Sequence, residues 1–428
     1  MALSSWVPGA DGSGFPAEHL PYGVFSTGGA GAAGPGGRAR RRVGVRIGDA
    51  VLDLGRLAAD GLVDGPFDRP SLNPFLALGP DRWRAVRDRL TDLVCDPAHR
   101  PAVEPALVPV ADVKLHLPIE VADYVDFYSS IEHATNLGRL LRPGSEPLLP
   151  NWRHLPVAYH GRAGTVVVSG TPVRRPAGQR RLPDGSVVFG PSTRLDIELE
   201  VGLVVGVPSE PGRPVPVERA PDHVFGVALV NDWSARDIQV WEYQPLGPFL
   251  GKSFATTMAA WVTPLAALEA CRVPGPPQEP EPLPHLRAAE PWGLDLDLAV
   301  ELRPAGAAGP GSAGAPGGGA GVTVSRTSFA GLYWTFPQQI AHLTSNGAHL
   351  RTGDLLASGT VSGPERGSEG SLMELTWGGE EPLDVGGVRR TFLEDGDEVV
   401  LSARARVGDG VVLALGEAAG RVVPGPPT

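Results

Sequence analysis

Residues 196–203 carry the sequence Asp-Ile-Glu-Leu-Glu-Val-Gly-Leu, in which charged and apolar side chains alternate. Successive side chains of a β-strand point to opposite faces, so the apolar residues share one face and Asp196, Glu198 and Glu200 share the other. Along a strand Glu198 and Glu200 lie roughly 7 Å apart, and such like charges repel unless solvent or a cation separates them. The run predicts a strand whose acidic face is either solvated or part of a metal site, and it leaves both interpretations open.

The overall composition also favours β-structure. The chain has 428 residues, of which 57 are glycine and 45 are proline, and 42% are hydrophobic. Glycine and proline at this frequency indicate many turns between short strands and argue against a helical bundle. We expect a mostly-β protein with some helix, divided near residue 118 into a small N-terminal domain (1–118) and a large C-terminal domain (119–428).

Periodic patterns predict a hairpin and four helices around the acidic strand. Alternation in residues 43–47 and 50–54, joined at Gly48-Asp49, predicts the hairpin. The helices are predicted to begin at four capping signals. These lie at Asp81, at the pair Ser129 and Glu132 (ending near Leu141), at Asp232 (ending near Tyr243) and near Pro337 (ending at 346–347). Residues 304–321 are low in complexity and predict a flexible surface loop.

Charge and cysteine content exclude several classes of protein. The formal net charge of −11 argues against nucleic-acid binding, so the basic tract 38–42 is expected to be a strand start or a solvated turn. There is no apolar run of about 18 residues, and the N-terminus lacks a secretory signal. Two cysteines, Cys95 and Cys271, cannot form a disulfide framework or a thiolate zinc site by themselves. We expect a cytoplasmic protein without a nucleic-acid or membrane partner.

Lysine is rare in this sequence, which draws attention to one position. Of 37 basic residues only Lys114 and Lys252 are lysines, so Lys252 is a candidate position for a compact ammonium group. It lies in the segment 244–254, which is more apolar and more constrained than an ordinary linker. Residues 251–253 are similar to the end of a phosphate-binding loop, but Gly247 is one residue too close to the lysine for that motif. We therefore reject a nucleotide site.

The predicted helix before this segment carries a polar face. Arg236, Gln239 and Tyr243 are spaced i, i+3 and i+7, so a cation, an amide and a phenol line one side. Such a face is often only solvated. Here it leads directly into the constrained segment with Lys252, which favours a functional role.

Three histidines are candidates for a general base. His133 lies in the first turn of its predicted helix, shortly after Asp126, where a nearby carboxylate could orient it. His160 and His342 compete for this role, and a purely structural histidine is the alternative.

Several segments together resemble the fumarylacetoacetase family, over a span from about residue 15 to residue 424. They are DFYSSIEHATN (126–136), LPVAYHGR (155–162), ELE (198–200), the block 231–256 and LLASGTVSG (355–363). The first and fourth are the most specific, since ELE with a later aspartate marks only a wider superfamily. The low-complexity insert at 304–321 and the loop 366–369 before Glu374 depart from the family pattern.

The resemblance implies a fold and an activity. The fold is a small SH3-like N-terminal barrel followed by a large mixed β-roll, and the chain is expected to form a homodimer. The activity is hydrolysis of a carbon–carbon bond in 4-fumarylacetoacetate to fumarate and acetoacetate, the last step of tyrosine and phenylalanine degradation. The substrate partner is therefore a small diketo acid.

The resemblance also implies a set of site residues. The expected Ca²⁺ ligands are Asp126, Glu198, Glu200 and Asp232, and the expected Mg²⁺ site is formed by Asp232, Thr256 and the backbone carbonyl of Lys252. The expected base is His133 with Glu374 as its partner. The expected substrate contacts are Tyr128, Arg142, Tyr159, Gln239, Tyr243 and Thr360. Lys252, Arg236 and Gln239 are further expected to hold the developing oxyanion, a role suited to cations and amide donors.

Two alternatives remain at this point. The same scaffold could act on another acylpyruvate or dienedioate substrate. The acidic residues could also build a calcium-stabilised structural or interaction protein without catalysis, in which case the metal site would be closed to substrate.

Overall fold

The computed structural model describes residues 2–28, 40–290, 292–306 and 321–425. The strands, in chain order, are β1 (Tyr22–Thr27), β2 (Arg42–Ile47), β3 (Ala50–Asp53), β4 (Leu107–Pro109), β5 (Val113–His116), β6 (Tyr124–Phe127), β7 (Ala158–His160), β8 (Val166–Val168), β9 (Val173–Arg174), β10 (Ala177–Arg181), β11 (Val187–Pro191), β12 (Leu195–Asp196), β13 (Leu199–Val205), β14 (Val224–Asp232), β15 (Ser234–Ala235), β16 (Thr256–Met258), β17 (Trp261–Pro264), β18 (Arg272–Val273), β19 (Gly293–Leu294), β20 (Leu296–Arg303), β21 (Val322–Ser328), β22 (Leu355–Ala357), β23 (Leu383–Val385), β24 (Val388–Arg390), β25 (Glu398–Arg406) and β26 (Val412–Val423).

Most of the α-helices are short, and strands outnumber them in the described part of the chain. The α-helices are α1 (Leu54–Ala59), α2 (Asn73–Leu76), α3 (Pro80–Cys95), α4 (Arg100–Val103), α5 (Ile131–Leu141), α6 (Arg236–Glu242), α7 (Phe336–Thr344) and α8 (Leu372–Leu375). Turns of 3-10 helix cover Pro97–His99, Glu104–Ala106, Val110–Asp112, Ala163–Thr165, Val217–His223, Leu265–Cys271, Pro284–Leu286, Phe329–Gly331 and Trp377–Gly379. The expected mostly-β fold with some helix is confirmed.

One large sheet positions the residues of interest. Its strand order is β4-β3-β2-β1-β17-β14-β13-β22-β6-β7, with β16, β5 and β8 attached to its side. In its centre β13 and β14 are buried along their whole length and pair antiparallel. β22 pairs with β13 and with β6, so residues of β6, β13 and β14 lie across neighbouring strands. The strand predicted over residues 196–203 is interrupted after Asp196, which leaves Glu198 at the junction of β12 and β13.

The N-terminal strands continue this large sheet. β1 pairs with β17, with Tyr22 opposite Val262, and the predicted hairpin is confirmed as β2 and β3. The aromatic ring of Tyr22 also packs against Phe225 of β14, with ring centroids 5.3 Å apart. Residues on both sides of position 118 therefore share a sheet and a core, and the domain boundary at 118 stays a prediction.

A second sheet, with the order β21-β20-β25-β26-β9, packs against the first. The predicted flexible segment 304–321 is the connection between β20 and β21. Residues 307–320 of that segment lie outside the described residues. The same holds for Arg38 and Ala39 of the basic tract, whose last residue, Arg42, begins β2 as expected.

The helix predictions are correct in position but wrong in three N-caps, and α7 ends at Thr344, before the predicted end at 346–347. α5 ends at Leu141 as predicted, but its N-cap is Ser130 and not Ser129. Ser129 instead accepts a hydrogen bond from Gln339 of α7 (2.8 Å). The other two corrections concern α3, which is preceded by Gly79, and α6, which is preceded by Ala235. Asp232 cannot cap α6 because its carboxylate is engaged by other side chains, described below.

Two further findings concern the cysteines and the helices. Cys95 and Cys271 are both free thiols. In the part of the chain that the structure describes, no helix combines the length and the apolar character required to cross a membrane.

Candidate metal centre and active site

Four carboxylates meet at the centre of the large sheet. Asp126 comes from β6, Glu198 directly precedes β13, Glu200 lies at the start of β13, and Asp232 ends β14. Each offers one oxygen atom that lies within 4.8 Å of the oxygens offered by the other three, and all four residues are buried. The acidic face of the strand is therefore not solvated, which decides against the first interpretation of residues 196–203.

The arrangement fits a divalent cation. Within the described residues, both carboxylate oxygens of Glu200 and Oδ1 of Asp126 are buried without a hydrogen-bond partner. Burial and the neighbouring negative charges raise the pKa of Glu200 and of Asp126 well above the usual range. Buried carboxylates are normally paired or bound to a metal, and hard cations such as Ca²⁺ and Mg²⁺ prefer oxygen ligands. The unpaired oxygens are thus the atoms that a cation would satisfy.

Three side chains already contact Asp232. Lys252 Nζ lies 2.9 Å from Asp232 Oδ2 and also contacts the carboxylate of Glu198. Thr256 donates to Asp232 Oδ1 (2.9 Å), and the hydroxyl of Tyr159 donates to Oδ2 (2.8 Å). The ammonium group of Lys252 therefore faces the carboxylates, in addition to the backbone carbonyl that the resemblance assigned to a cation. Burial disfavours this charge, but Asp232 and Glu198 outweigh it and raise the pKa of Lys252.

Arg236 contributes a second buried cation. Its Nε donates to Asp196 Oδ2 (2.7 Å), its Nη2 lies 2.9 Å from Glu198 Oε1, and its Nη1 donates to Gln239 Oε1 (3.3 Å). Burial alone would raise the pKa of Glu198, but attraction to Lys252 and Arg236 holds it far below the usual range. Glu198 therefore stays ionised beside two cations.

His133 and Glu374 form a buried pair at the edge of this cluster. His133 Nδ1 lies 2.6 Å from Glu374 Oε2, and Nε2 lies 3.7 Å from Glu198 Oε1. Because a carboxylate accepts, this contact places a proton on Nδ1 and leaves Nε2 facing the acidic cluster. Burial would raise the pKa of Glu374, but His133 and the surrounding donors lower it.

Glu374 is held by residues that the sequence analysis did not identify. It accepts hydrogen bonds from Asn136 (3.0 Å), Ser362 (3.0 Å) and Ser371 (2.7 Å). The helical spacing of His133 and Asn136 and the spacing of Ser371 and Glu374, typical of a capping box, were available signals. Ser362 had no such signal, because only the fold brings it to Glu374.

Asp196 is a further residue whose contacts the sequence did not predict. It accepts from the backbone N–H groups of Leu372 (2.7 Å) and Met373 (3.0 Å) as well as from Arg236. It is fully buried and separate from the four-carboxylate cluster. Asp196 thus connects Arg236 to α8, the helix that carries Glu374.

The predicted substrate contacts fall into two groups. Tyr128 packs edge-on against the His133 ring with centroids 5.3 Å apart, and Tyr159 contacts Asp232 as described. Thr360 is buried, and its hydroxyl has no partner among the described residues. Tyr128, Tyr159 and Gln239 therefore contact members of the charged cluster.

The remaining two predicted contacts have their hydrogen bonds elsewhere. Arg142, at the end of α5, donates to the carbonyl of Pro147 (2.8 Å). Tyr243, after α6, accepts from Gln244 (3.0 Å). No described hydrogen bond joins either residue to the carboxylates, so their substrate role rests on the resemblance alone.

A cleft of about 150 Å³ opens onto the cluster. It is lined by Tyr124, Tyr159, His160, Gly161, Arg162, Asp232, Pro248, Phe249, Lys252 and Ser253. Of the competing histidines, His160 borders the cleft. His342 instead lies on α7, near His285. In the described residues, the imidazole of His133 is paired with a buried carboxylate, and those of His160 and His342 are not.

Comparison with protein families gives two adjoining matches. Residues 18–118 match the fumarylacetoacetase N-terminal family, and residues 124–423 match the fumarylacetoacetate (FAA) hydrolase C-terminal family. Together the two matches cover most of the chain.

Curated relatives match over nearly the whole length. A fumarylacetoacetase of Rattus norvegicus is 46% identical over 436 residues, covering 98% of this chain and 99% of the relative. A fumarylacetoacetase of Arabidopsis thaliana is 43% identical, covering 99% of both chains. One of Dictyostelium discoideum is 39% identical and covers 99% of this chain and 98% of its own.

Solved structures share the fold at lower identity. A fumarylacetoacetate hydrolase from the psychrophile Exiguobacterium antarcticum has a TM-score of 0.52 at 16% identity, covering 95% of this chain and 99% of that one. A putative HpcE protein from Mycobacterium smegmatis has a TM-score of 0.52 at 22% identity, covering 90% and 97%. With relatives at this level of identity over nearly the full length and matches to both family models, the chain belongs to the fumarylacetoacetase family.

Proposed function

We propose that this chain is a hydrolase that cleaves the carbon–carbon bond of 4-fumarylacetoacetate to give fumarate and acetoacetate. The observation that carries the proposal is the four-carboxylate cluster beside the His133–Glu374 pair. Relatives named fumarylacetoacetase, 39–46% identical over nearly the full length, support this substrate. An imidazole oriented by a buried carboxylate also favours catalysis over a purely structural calcium site.

The cluster is proposed to hold the metal. Asp126, Glu198, Glu200 and Asp232 would hold Ca²⁺, and Asp232 and Thr256, with the backbone carbonyl of Lys252, would hold Mg²⁺. When bound, a divalent cation supplies Lewis-acid stabilisation of the negative charge that develops on the diketone oxygens. Ca²⁺ accepts about 6–8 oxygen ligands, so four carboxylates leave positions for substrate and water.

His133 is proposed to act as the general base. Its Nε2 faces the cluster, while Glu374 holds the proton on Nδ1 and stabilises the imidazolium that forms. In this role the imidazole takes a proton from the attacking water. Bond cleavage then releases acetoacetate as an enolate, which is a far better leaving group than a simple carbanion and is protonated afterwards.

The buried cations are proposed to stabilise negative charge on the substrate. Lys252 and Arg236 lie in the water-poor site with Gln239, where electrostatic stabilisation is strong. Each donor of this kind contributes about 3 kcal/mol in other enzymes. Tyr128, Tyr159, Tyr243 and Thr360 are proposed as further substrate contacts. The guanidinium of Arg142 is suited to a bidentate contact with the distal carboxylate of the substrate.

We also propose that the chain forms a homodimer. Exposed apolar side chains lie on neighbouring elements, namely the β10–β11 hairpin, α6 and the following loop. They are Val187, Phe189, Val240, Trp241, Leu246, Phe249 and Leu250. Exposed apolar surface of this kind is typical of an interaction site. Sedimentation velocity should give a dimer mass for the wild type and a monomer mass for Trp241→Glu; a wild-type monomer would contradict the proposal.

The wider biological role and the layout of the chain stay proposals as well. A place in tyrosine and phenylalanine degradation, a cytoplasmic location and a boundary between domains near residue 118 are predictions from the sequence and its resemblance.

The direct test of the proposed activity is a turnover experiment. Purified chain is incubated with fumarylacetoacetate and Ca²⁺, the ultraviolet band of the diketone is followed, and the products are identified. The proposal expects loss of the band with equimolar fumarate and acetoacetate. An unchanged band, or an isomer as the sole product, would contradict it.

A further inference from the structure

One hydroxyl group in the cleft has no partner inside the protein. Tyr124 lines the cleft with Tyr159, Asp232 and Lys252, and its side chain is about as buried as a core residue, with 1% exposed. Its hydroxyl has no hydrogen-bond partner in the described part of the chain. A buried hydroxyl left unpaired is costly, so such a group requires an explanation.

The strand geometry explains where the Tyr124 side chain points. Tyr124 and Asp126 are two residues apart on β6, so their side chains share one face. A methyl group at Gly161 would lie 2.1 Å from Cδ1 of the Tyr124 ring, which shows that the ring rests directly on that glycine. The ring is therefore fixed at the base of the cleft.

The charged groups that act on the Tyr124 hydroxyl are carboxylates. The carboxylates of Asp232, Asp126 and Glu200 are close enough to act on it electrostatically. None of them forms a hydrogen bond with it among the described residues, and the hydroxyl of Thr256, which lies beside it, donates to Asp232. A phenol O–H held beside these acceptors without a hydrogen bond to any of them is positioned for an acceptor that enters from the cleft.

We infer that the Tyr124 hydroxyl donates a hydrogen bond to an oxygen atom of the bound diketo acid, which makes Tyr124 a further catalytic residue. This inference rests on the proposed function. The hydroxyl would act together with Lys252, whose ammonium group lines the same cleft. Because the donor is already desolvated and fixed, it needs no rearrangement when charge develops on the substrate.

The test is the substitution Tyr124→Phe, which removes the hydroxyl and keeps the ring. Tyr22→Phe is the matched control, because the Tyr22 hydroxyl is also buried without a partner among the described residues but lies in the N-terminal core against Phe75 and Phe225. At saturating Ca²⁺, kcat/KM for fumarylacetoacetate should fall by about 10- to 100-fold in Tyr124→Phe. It should remain at the wild-type value in Tyr22→Phe.

Calorimetric titration with Ca²⁺ separates substrate contact from metal binding. The expected result is an unchanged Ca²⁺ dissociation constant in Tyr124→Phe. If the Ca²⁺ dissociation constant rises by the same factor by which kcat/KM falls, the hydroxyl contributes to metal binding, and the inference is overturned. An unfolded variant would also overturn it, because the hydroxyl would then have a structural partner.

Failure of this inference differs from failure of the proposed function. An active wild type with an unchanged kcat/KM in Tyr124→Phe, or an equal loss in Tyr22→Phe, overturns the inference alone. A wild-type chain that leaves fumarylacetoacetate intact overturns both.

Discussion

Glu374 shows how single residues keep a buried base in place. The hydrogen bonds from Asn136, Ser362 and Ser371 compensate the desolvation of its carboxylate, so it remains ionised beside His133. A histidine held in this way presents the same ring nitrogen to the cluster in every molecule. His133 is therefore the residue whose loss should reduce turnover most.

Replacing His133 by Ala should abolish turnover while leaving the metal cluster able to bind Ca²⁺. General bases of this type contribute about 10²- to 10⁴-fold to the rate, so kcat should fall by at least the lower factor. Steady-state kinetics and Ca²⁺ calorimetry on the same preparation measure the two effects. His342→Ala on α7 is the control and should behave as the wild type. A variant that keeps more than a tenth of the activity would mean that another group is the base.

Glu200 supports a second prediction at this scale. Both of its oxygens are buried without a partner in the described residues, and its pKa is raised by burial and by Asp126 and Asp232. In metal-free protein, Glu200→Gln should therefore not lower the melting temperature, because a repelled carboxylate is replaced by a neutral group of the same size. The rise in melting temperature on adding Ca²⁺ should shrink strongly, since a ligand is lost. Differential scanning fluorimetry measures both; an undiminished rise would exclude Glu200 as a ligand.

At the scale of secondary-structure elements, register places the site. β13 and β14 pair with Leu199 opposite Asn231, and β6 pairs with β22 with Asp126 opposite Ala357, which places acids from distant segments side by side. Asp196 then connects β12 to α6 and α8 through Arg236, Leu372 and Met373. The contacts of Asp196 thus hold β12, α6 and α8 together.

Asp196→Asn should destabilise the fold and reduce activity. Breaking a buried ion pair by removing one partner costs about 3–5 kcal/mol, and an amide can replace only part of the contacts made by the carboxylate. The exposed pair between Asp297 and Arg406, with the same 2.7 Å separation, is the matched control. Asp297→Asn should cost at most about 1 kcal/mol, since exposed pairs contribute little. Urea unfolding of both variants measures the difference, and equal losses would refute the role given to Asp196.

Several secondary-structure elements and site residues could be predicted from the sequence. Alternation and capping patterns located the hairpin, α5 and α7, and motif resemblance selected His133 and the four acids. The cap of α5 was wrong by one residue because Ser129 and Ser130 are equivalent in a local pattern, and only packing against Gln339 distinguishes them. Ser362, the backbone contacts of Asp196 and the unpaired hydroxyl of Tyr124 depend on contacts between distant segments, which no local pattern encodes.

At the scale of the whole molecule, one histidine joins the N-terminal segment to the large sheet. His19 Nε2 lies 2.8 Å from Thr263 Oγ1 of β17, and Nδ1 lies 3.2 Å from the carbonyl of Gly14. Burial, with Arg87 and Arg46 nearby, lowers the pKa of His19 to about 3 from its usual 6.5. The ring is therefore neutral in the folded protein over a wide pH range.

This depressed pKa predicts a loss of stability in acid. Below pH 6.5 the unfolded chain binds a proton at His19, whereas the folded chain does not bind it until about pH 3. The contribution of His19 to the free energy of unfolding therefore declines as the pH falls. Between pH 7 and pH 5 the decline should be about 2 kcal/mol. In His19→Gln, which stays neutral, the free energy of unfolding in urea should fall less over this interval. If the free energy of unfolding depends on pH identically in the two proteins, the pKa of His19 is not lowered by folding.

The proposed reaction requires a divalent cation held by Asp126, Glu198, Glu200 and Asp232. The most direct measurement of this requirement is Ca²⁺ titration of chelator-treated protein, with heat of binding and turnover of fumarylacetoacetate recorded in parallel. We predict that the metal-free protein is folded but inactive, that Ca²⁺ restores turnover as it binds, and that Asp126→Asn weakens both in parallel. Full turnover by metal-free protein would contradict the proposed role of the cation.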